Sequence, residues 1–80
     1  MSADKVRDIL TQYGRLSTPV DQLQNTSDLY NAGLTSLATV SLMLALEEQF
    51  NIEFPDNMLS RRTFASIETI VDAVQKLVSN

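Results

Sequence analysis

Few residues in this chain could do chemistry, and most of the usual ones are missing. Cysteine and histidine are both absent, which excludes disulfides, thiolate nucleophiles, zinc sites of the usual ligand types and Ser-His-Asp catalysis. Glu47 and Glu48 are adjacent, but on a helix neighbours point about 100° apart rather than into one site. Neither a glycine-rich phosphate loop nor a calcium-loop spacing accompanies them, so they read as residues of a solvated face. A small hydrolase would lack its base. Ser36 is different. It follows Gly33-Leu34-Thr35 and opens an apolar stretch, so its hydroxyl should stand at or beside a helix N-terminus. There it could serve as a helix cap. The same position also suits a covalent phosphodiester, because unpaired N–H groups and the positive end of the helix dipole stabilise an anion. Gly33 lets the backbone turn tightly just before it.

The elements that must position Ser36 can be read from apolar spacing. Val6, Ile9, Leu10 and Tyr13 fall at i, i+3, i+4 and i+7, predicting a first helix from about Ala3, with Ser2 as its cap, Asp4 in its first turn and Gly14 as its stop. Residues 15–35 carry Pro19, Gly33 and a polar run at 22–28, and read as a long connection anchored by Leu16, Val20, Leu23, Leu29 and Leu34. A connection this long should either pack on the helices or serve function. From Ser36 to Phe50 there is neither Gly nor Pro, and the apolar arc is too wide for a helix buried along one stripe. Such a helix is either central in a bundle or keeps apolar surface for a partner. Pro55 breaks the chain, and 56–60 could form one short turn of helix. Ile67, Ile70, Val71, Val74, Leu77 and Val78 mark a last helix, with Thr63 or Ser66 as its cap. The expected fold is all-α: three main helices plus a short one, in a single domain over 1–80.

Composition narrows the function. The chain has 80 residues, a net charge of −4 and 10 Asp+Glu against 6 Lys+Arg. That balance argues against nucleic acid and against anionic membrane surfaces. The longest apolar run, 42–46, is far short of a membrane span, and Met1-Ser2-Ala3-Asp4 does not read as a signal peptide. A soluble, cytoplasmic, acidic monomer is expected.

The stretch Asp28-Leu29-Tyr30-Asn31-Ala32-Gly33-Leu34-Thr35-Ser36-Leu37 resembles the phosphopantetheine attachment motif of acyl carrier proteins and peptidyl carrier domains. The likeness continues through Ala45-Leu46-Glu47-Glu48-Gln49-Phe50-Asn51-Ile52-Glu53-Phe54-Pro55 and resumes at Thr63-Phe64-Ala65-Ser66-Ile67. It implies a four-helix carrier rather than an enzyme, acting in biosynthesis. A phosphopantetheinyl transferase would move the 4'-phosphopantetheine arm of coenzyme A onto Ser36. A ligase or acyltransferase would load the arm's thiol with cargo as a thioester, and a downstream acyl-accepting enzyme would take it. The reactive group would thus be borrowed.

Departures from the pattern colour this expectation. Thr35 stands where bacterial fatty-acid carriers usually have Asp, a position the resemblance ties to transferase contact, so the choice of transferase stays open. Acids are sparse after Gly33, which points to partners other than the general fatty-acid synthase. Leu37, Val40 and Leu44 share one helix side and could be core or a docking stripe; the resemblance favours partner contact for Leu37 and Val40. Glu47 and Glu48 are expected to steer partners, and Met58 to adapt to them. Phe50, Phe54 and Phe64 should fill the interior and leave little room for a long acyl chain. The reading is a freestanding carrier of a short acyl, hydroxyacyl or aminoacyl group. An ordinary fatty-acid carrier and an unmodified helical adaptor are its alternatives.

Overall fold

Apolar spacing does build the first helix. In the computed structural model, which describes residues 2–79 with side chains from Ala3 onward, α1 runs Ser2–Tyr13. The capping role expected of the Ser2 side chain lies outside the described residues. Val6, Ile9 and Leu10 are buried, whereas Tyr13 is exposed on the last turn, where its phenol end can stay hydrated. Gly14 continues the helical bonding, its N–H donating to Leu10 O at 2.8 Å, and the left-handed residue that turns the chain is Arg15, at φ 51°. Gly14 is needed for space: an added Cβ would stand 2.8 Å from the Leu10 carbonyl oxygen.

The connection to α2 is long but not loose. A single 3-10 turn, Val20–Gln22, interrupts it. Leu29 and Leu34 join the core, while Leu16, Val20 and Leu23 pack half-buried against it. Its backbone polar groups are taken up by the rest of the fold, as the high cost of leaving them unpaired requires. The Ala32 carbonyl accepts from Ser17 N at 2.9 Å and from Ser17 Oγ at 2.9 Å. Leu29 N donates to Ala65 O at 2.8 Å, and Glu68 N to Asn25 O at 2.9 Å. Arg7 ties the same segment to α1 by donating to Val20 O at 3.0 Å and Asn25 Oδ1 at 2.8 Å.

Helix α2, Ser36–Phe50, buries Ala38, Leu42, Ala45 and Leu46. Its end is fixed by Asn51 in the left-handed region at φ 55°, with the Asn51 N–H donating to Glu47 O. Helix α3, Ile67–Val78, opens with a capping box in which Ser66 Oγ accepts from Thr69 N at 3.1 Å and Thr69 Oγ1 from Ser66 N at 3.0 Å. Of its apolar residues Ile67, Ile70 and Val74 are buried, Val71 and Leu77 half-buried, and Val78 exposed on the last turn. α1 packs on both α2 and α3, which touch each other less. That arrangement leaves one side of α2 without a helical neighbour.

The three main helices stand as expected, and the short helical turn expected within 56–60 is a 3-10 turn, Asp56–Met58; with three α-helices among the described residues, the fold is not a bundle of four full helices. A three-residue turn following Pro55 has too few i→i+4 bonds to propagate as α-helix. Phe54 and Phe64 are buried, with ring centroids 5.5 Å apart, but Phe50 is only half-buried. Its ring lies under Lys5 Nζ, 4.9 Å from the centroid, at the edge of the bundle.

Candidate functional site

Ser36 is the first residue of α2 and is exposed. The cap is its neighbour: Thr35, extended at φ −96°, ψ 166°, accepts from Ala38 N at 3.1 Å through Oγ1. The capping duty expected as one option for Ser36 therefore falls to Thr35, since a cap needs non-helical backbone angles and Ser36 already lies in the helix. Thr39 reinforces the start, its Oγ1 donating to Thr35 O at 2.7 Å. Upstream, Asp28 Oδ1 accepts from Tyr30 N at 3.0 Å, folding the motif into an Asx turn. Gly33 has φ 113°, and a Cβ there would stand 2.7 Å from Ser17 Oγ and 2.8 Å from Ser17 N. Both the backbone angle and the close approach demand glycine. The result is a rigid entry that presents the Ser36 hydroxyl at the positive end of a fifteen-residue helix.

Ser36 opens onto a cleft of ≈ 420 Å³ between α2 and the segment leading to α3. Val40, Met43, Leu59 and Phe64 give it an apolar lining, and Ser36, Thr39 and Ser60 contribute hydroxyls. Tyr30 and Arg61 form its remaining wall. Tyr30 Oη donates to Arg61 O at 2.7 Å, and the Arg61 guanidinium carbon lies 3.9 Å from the Tyr30 ring centroid. Burial raises the Tyr30 phenol above its ordinary value, and the nearby Asp28 adds to this while Arg61 opposes it. An exposed hydroxyl at a helix start beside an apolar cleft with scattered hydroxyls fits a serine-linked phosphodiester carrying an amide-containing chain. Among the described residues no group of three or more side chains could hold a metal ion.

The other expected site residues fall in different places. Leu37, Val40 and Leu44 are 80%, 51% and 55% exposed, so this i, i+3, i+7 stripe is surface and not core. Glu48 is exposed, on the same side of α2 by helical geometry but roughly 16–18 Å along the axis from Ser36. Glu47 is half-buried, and its Oε2 accepts from Phe54 N at 2.9 Å. It holds the loop after α2 and is not a freely solvated acid. Met58 lines a separate depression with Asp72 and Gln75 of α3, away from the Ser36 cleft. Leu59 is exposed and lines the cleft. Thr39, Leu59, Ser60 and Arg61 were not singled out by the sequence, because only the fold brings 59–61 beside α2.

Comparison with known proteins agrees with this geometry. A family model described as phosphopantetheine attachment site matches residues 4–74. The chain is 53% identical over 73 residues to an aminoacyl carrier protein of Agrobacterium fabrum, covering 91% of this chain and 88% of that one. It superposes with TM-score 0.93 and 51% identity on a chain of the crystal structure of an engineered Bradyrhizobium japonicum glycine:[carrier protein] ligase complexed with carrier protein from Agrobacterium tumefaciens and ATP, covering 96% of this chain and 100% of that one. With the holo acyl carrier protein of Nitrosomonas europaea the TM-score is 0.87 at 29% identity, covering 100% and 99% of the two chains. The chain belongs to the phosphopantetheine-attachment family of carrier proteins, which are not catalysts. Its cofactor is 4'-phosphopantetheine.

Proposed function

We propose that this chain is a freestanding aminoacyl carrier whose Ser36 Oγ is joined by a phosphodiester to 4'-phosphopantetheine. The arm supplies a thiol, which the chain itself lacks, and through it a thioester. The observation that carries the reading is the exposed Ser36 at the first residue of α2, in a chain 53% identical to an aminoacyl carrier protein. Thr35 and Gly33 hold the hydroxyl outward, the dipole of α2 stabilises the phosphodiester, and the cleft gives the chain beyond it an apolar bed. The exposed stripe of Leu37, Val40 and Leu44 begins one residue later, so a partner that seats on it also reaches Ser36. We read it as the contact for the phosphopantetheinyl transferase, for an ATP-using ligase that charges the carrier, and for the enzyme that accepts the cargo, with Glu48 as a steering charge. The ligase complex of the Agrobacterium carrier supports the second of these.

The buried Phe54–Phe64 pair disfavours the fatty-acid alternative, since the rings fill volume a long chain would need. The test is to incubate the phosphopantetheinylated protein with a glycine:[carrier protein] ligase, ATP and labelled glycine. Label that is stable to acid and released by hydroxylamine is expected. No labelling under conditions where a fatty-acyl donor charges the same protein fully would overturn the reading in favour of the fatty-acid carrier.

A further inference from the structure

The walls of the Ser36 cleft carry an unbalanced charge. Among the described residues Arg61 is the one charged side chain lining it, and no carboxylate does. Arg61 meets Tyr30 at two points, one through its side chain and one through its main chain. It stacks on Tyr30 at 3.9 Å, and its own main chain accepts the Tyr30 hydroxyl at 2.7 Å. Asp28 and Arg62 border a second depression, which shares Tyr30 and Arg61 with the cleft, and neither of them lines the cleft itself. The rest of the lining is apolar or hydroxylic, with Met43 and Phe64 among the apolar contributors. A chain tethered at Ser36 therefore meets a surface that accepts methylene and amide groups, and a cation fixed at its wall.

We propose that Arg61, positioned by Tyr30, sorts tethered groups by the charge of their free end: it keeps an ammonium-tipped group out of the cleft and admits neutral or carboxylate-tipped ones. This deepens the aminoacyl reading, on which its biological sense rests. While it carries its charge, an α-ammonium is costly to desolvate against apolar walls, and it is repelled by a guanidinium that cannot swing away without losing its ring contact. An aminoacyl thioester is thus displayed in solvent, available to the acceptor enzyme. The same thioester carrying a blocked amine would fold back into the cleft and be sheltered.

Because the chain has no cysteine, Ser36→Cys provides a single thiol, and the test needs no transferase. Alkylating it with bromoacetamides of equal length ending in ammonium, methyl or carboxylate gives three tethered forms, each checked by intact mass. The readout is the NMR shift change at the Met43 methyl and the Phe64 ring relative to a short acetamide cap. The methyl and carboxylate tips are expected to shift these resonances several-fold more than the ammonium tip. In the Arg61→Glu background the ammonium tip should gain and the carboxylate tip lose. Arg61 is exposed, so this variant should fold, and its circular dichroism is the check. Equal shifts for all three tips, or an order unchanged by Arg61→Glu, would overturn the proposal. Failure of Ser36 to accept phosphopantetheine would refute the carrier reading instead, and these tethers do not depend on it.

Discussion

Thr35 caps the start of α2 and leaves the next residue, Ser36, free of that duty. Thr35 Oγ1 accepts the Ala38 amide at 3.1 Å, while Ser36, one residue on, is already helical and exposed. On the proposed reading, the cap and the attachment point therefore fall on adjacent residues, and each can be changed on its own.

Thr35→Ala should destabilise the protein by about 1 kcal/mol, the usual cost of losing a helix cap. Ser36→Ala should stay within roughly 0.5 kcal/mol of the parent, as expected for an exposed residue with no part in the cap. Urea titrations followed by circular dichroism separate the two. A loss at Ser36 as large as at Thr35 would contradict the assignment of the cap.

The two glutamates should likewise part company. Glu47→Ala strips the acceptor from the Phe54 amide, found at 2.9 Å, and should cost about 1–2 kcal/mol. Glu48→Lys should leave stability unchanged within about 0.5 kcal/mol. Its effect should appear in the rate of charging by the ligase, and should fade as salt is raised. Melts and charging rates on both variants check this ordering.

Leu37→Asp and Val40→Asp add charge to positions that are already solvent-exposed. Folding stability should change by less than about 1 kcal/mol, because nothing is removed from the core. Charging should fall on the order of tenfold or more, since an interface would have to bury the new carboxylate unpaired. Steady-state kcat/KM with the ligase, measured beside a melt, tells a lost contact from a lost fold.

Tyr30 gives a pH signature. Burial raises its phenol above the usual value of 10.0, so between that value and the folded one the native state binds more protons than the unfolded. The stabilisation is fully present below pH 10 and is lost as pH rises through the folded value. Tyr30→Phe should remove this alkaline decline and also break the 2.7 Å bond to Arg61 O. Stability against pH, for both proteins, is the measurement.

Much of this was legible in the sequence because periodicity records burial. Val6, Ile9 and Leu10, and Ile67, Ile70 and Val74, lie where their spacing places them. The resemblance to the carrier motif points to Ser36, and the structure places that residue exposed at the start of α2. Spacing is blind at helix ends, where Tyr13 and Val78 keep the apolar phase but run past their neighbours into solvent. It is equally blind to a side chain's partner. Thr35 and Ser36 are both good caps on paper, and only the backbone angle decides between them. The Glu47–Phe54 bond spans a loop, and Arg61 reaches the Ser36 cleft only because the 3-10 turn Asp56–Met58 brings the following residues back beside α2.

Cargo length offers a further check on the core. With Phe54 and Phe64 buried against each other, lengthening an acyl cargo should raise the melting temperature little. A fully sheltered chain would gain about 25 cal/mol per Å² buried. Phe64→Val should lower baseline stability by less than the ~3–5 kcal/mol of a Phe→Ala change, and should let longer chains recover part of it. A steady rise with each methylene in the unmutated protein would favour a fatty-acyl carrier.

The most direct test of the carrier assignment is intact mass after incubation with coenzyme A and a broad-specificity phosphopantetheinyl transferase. The wild-type chain should gain the mass of one phosphopantetheine, and fragmentation should place it on Ser36. Ser36→Ala should gain nothing while keeping its fold. A gain that persists in the alanine variant, or a wild-type protein that stays unmodified while a control carrier reacts to completion, would contradict it.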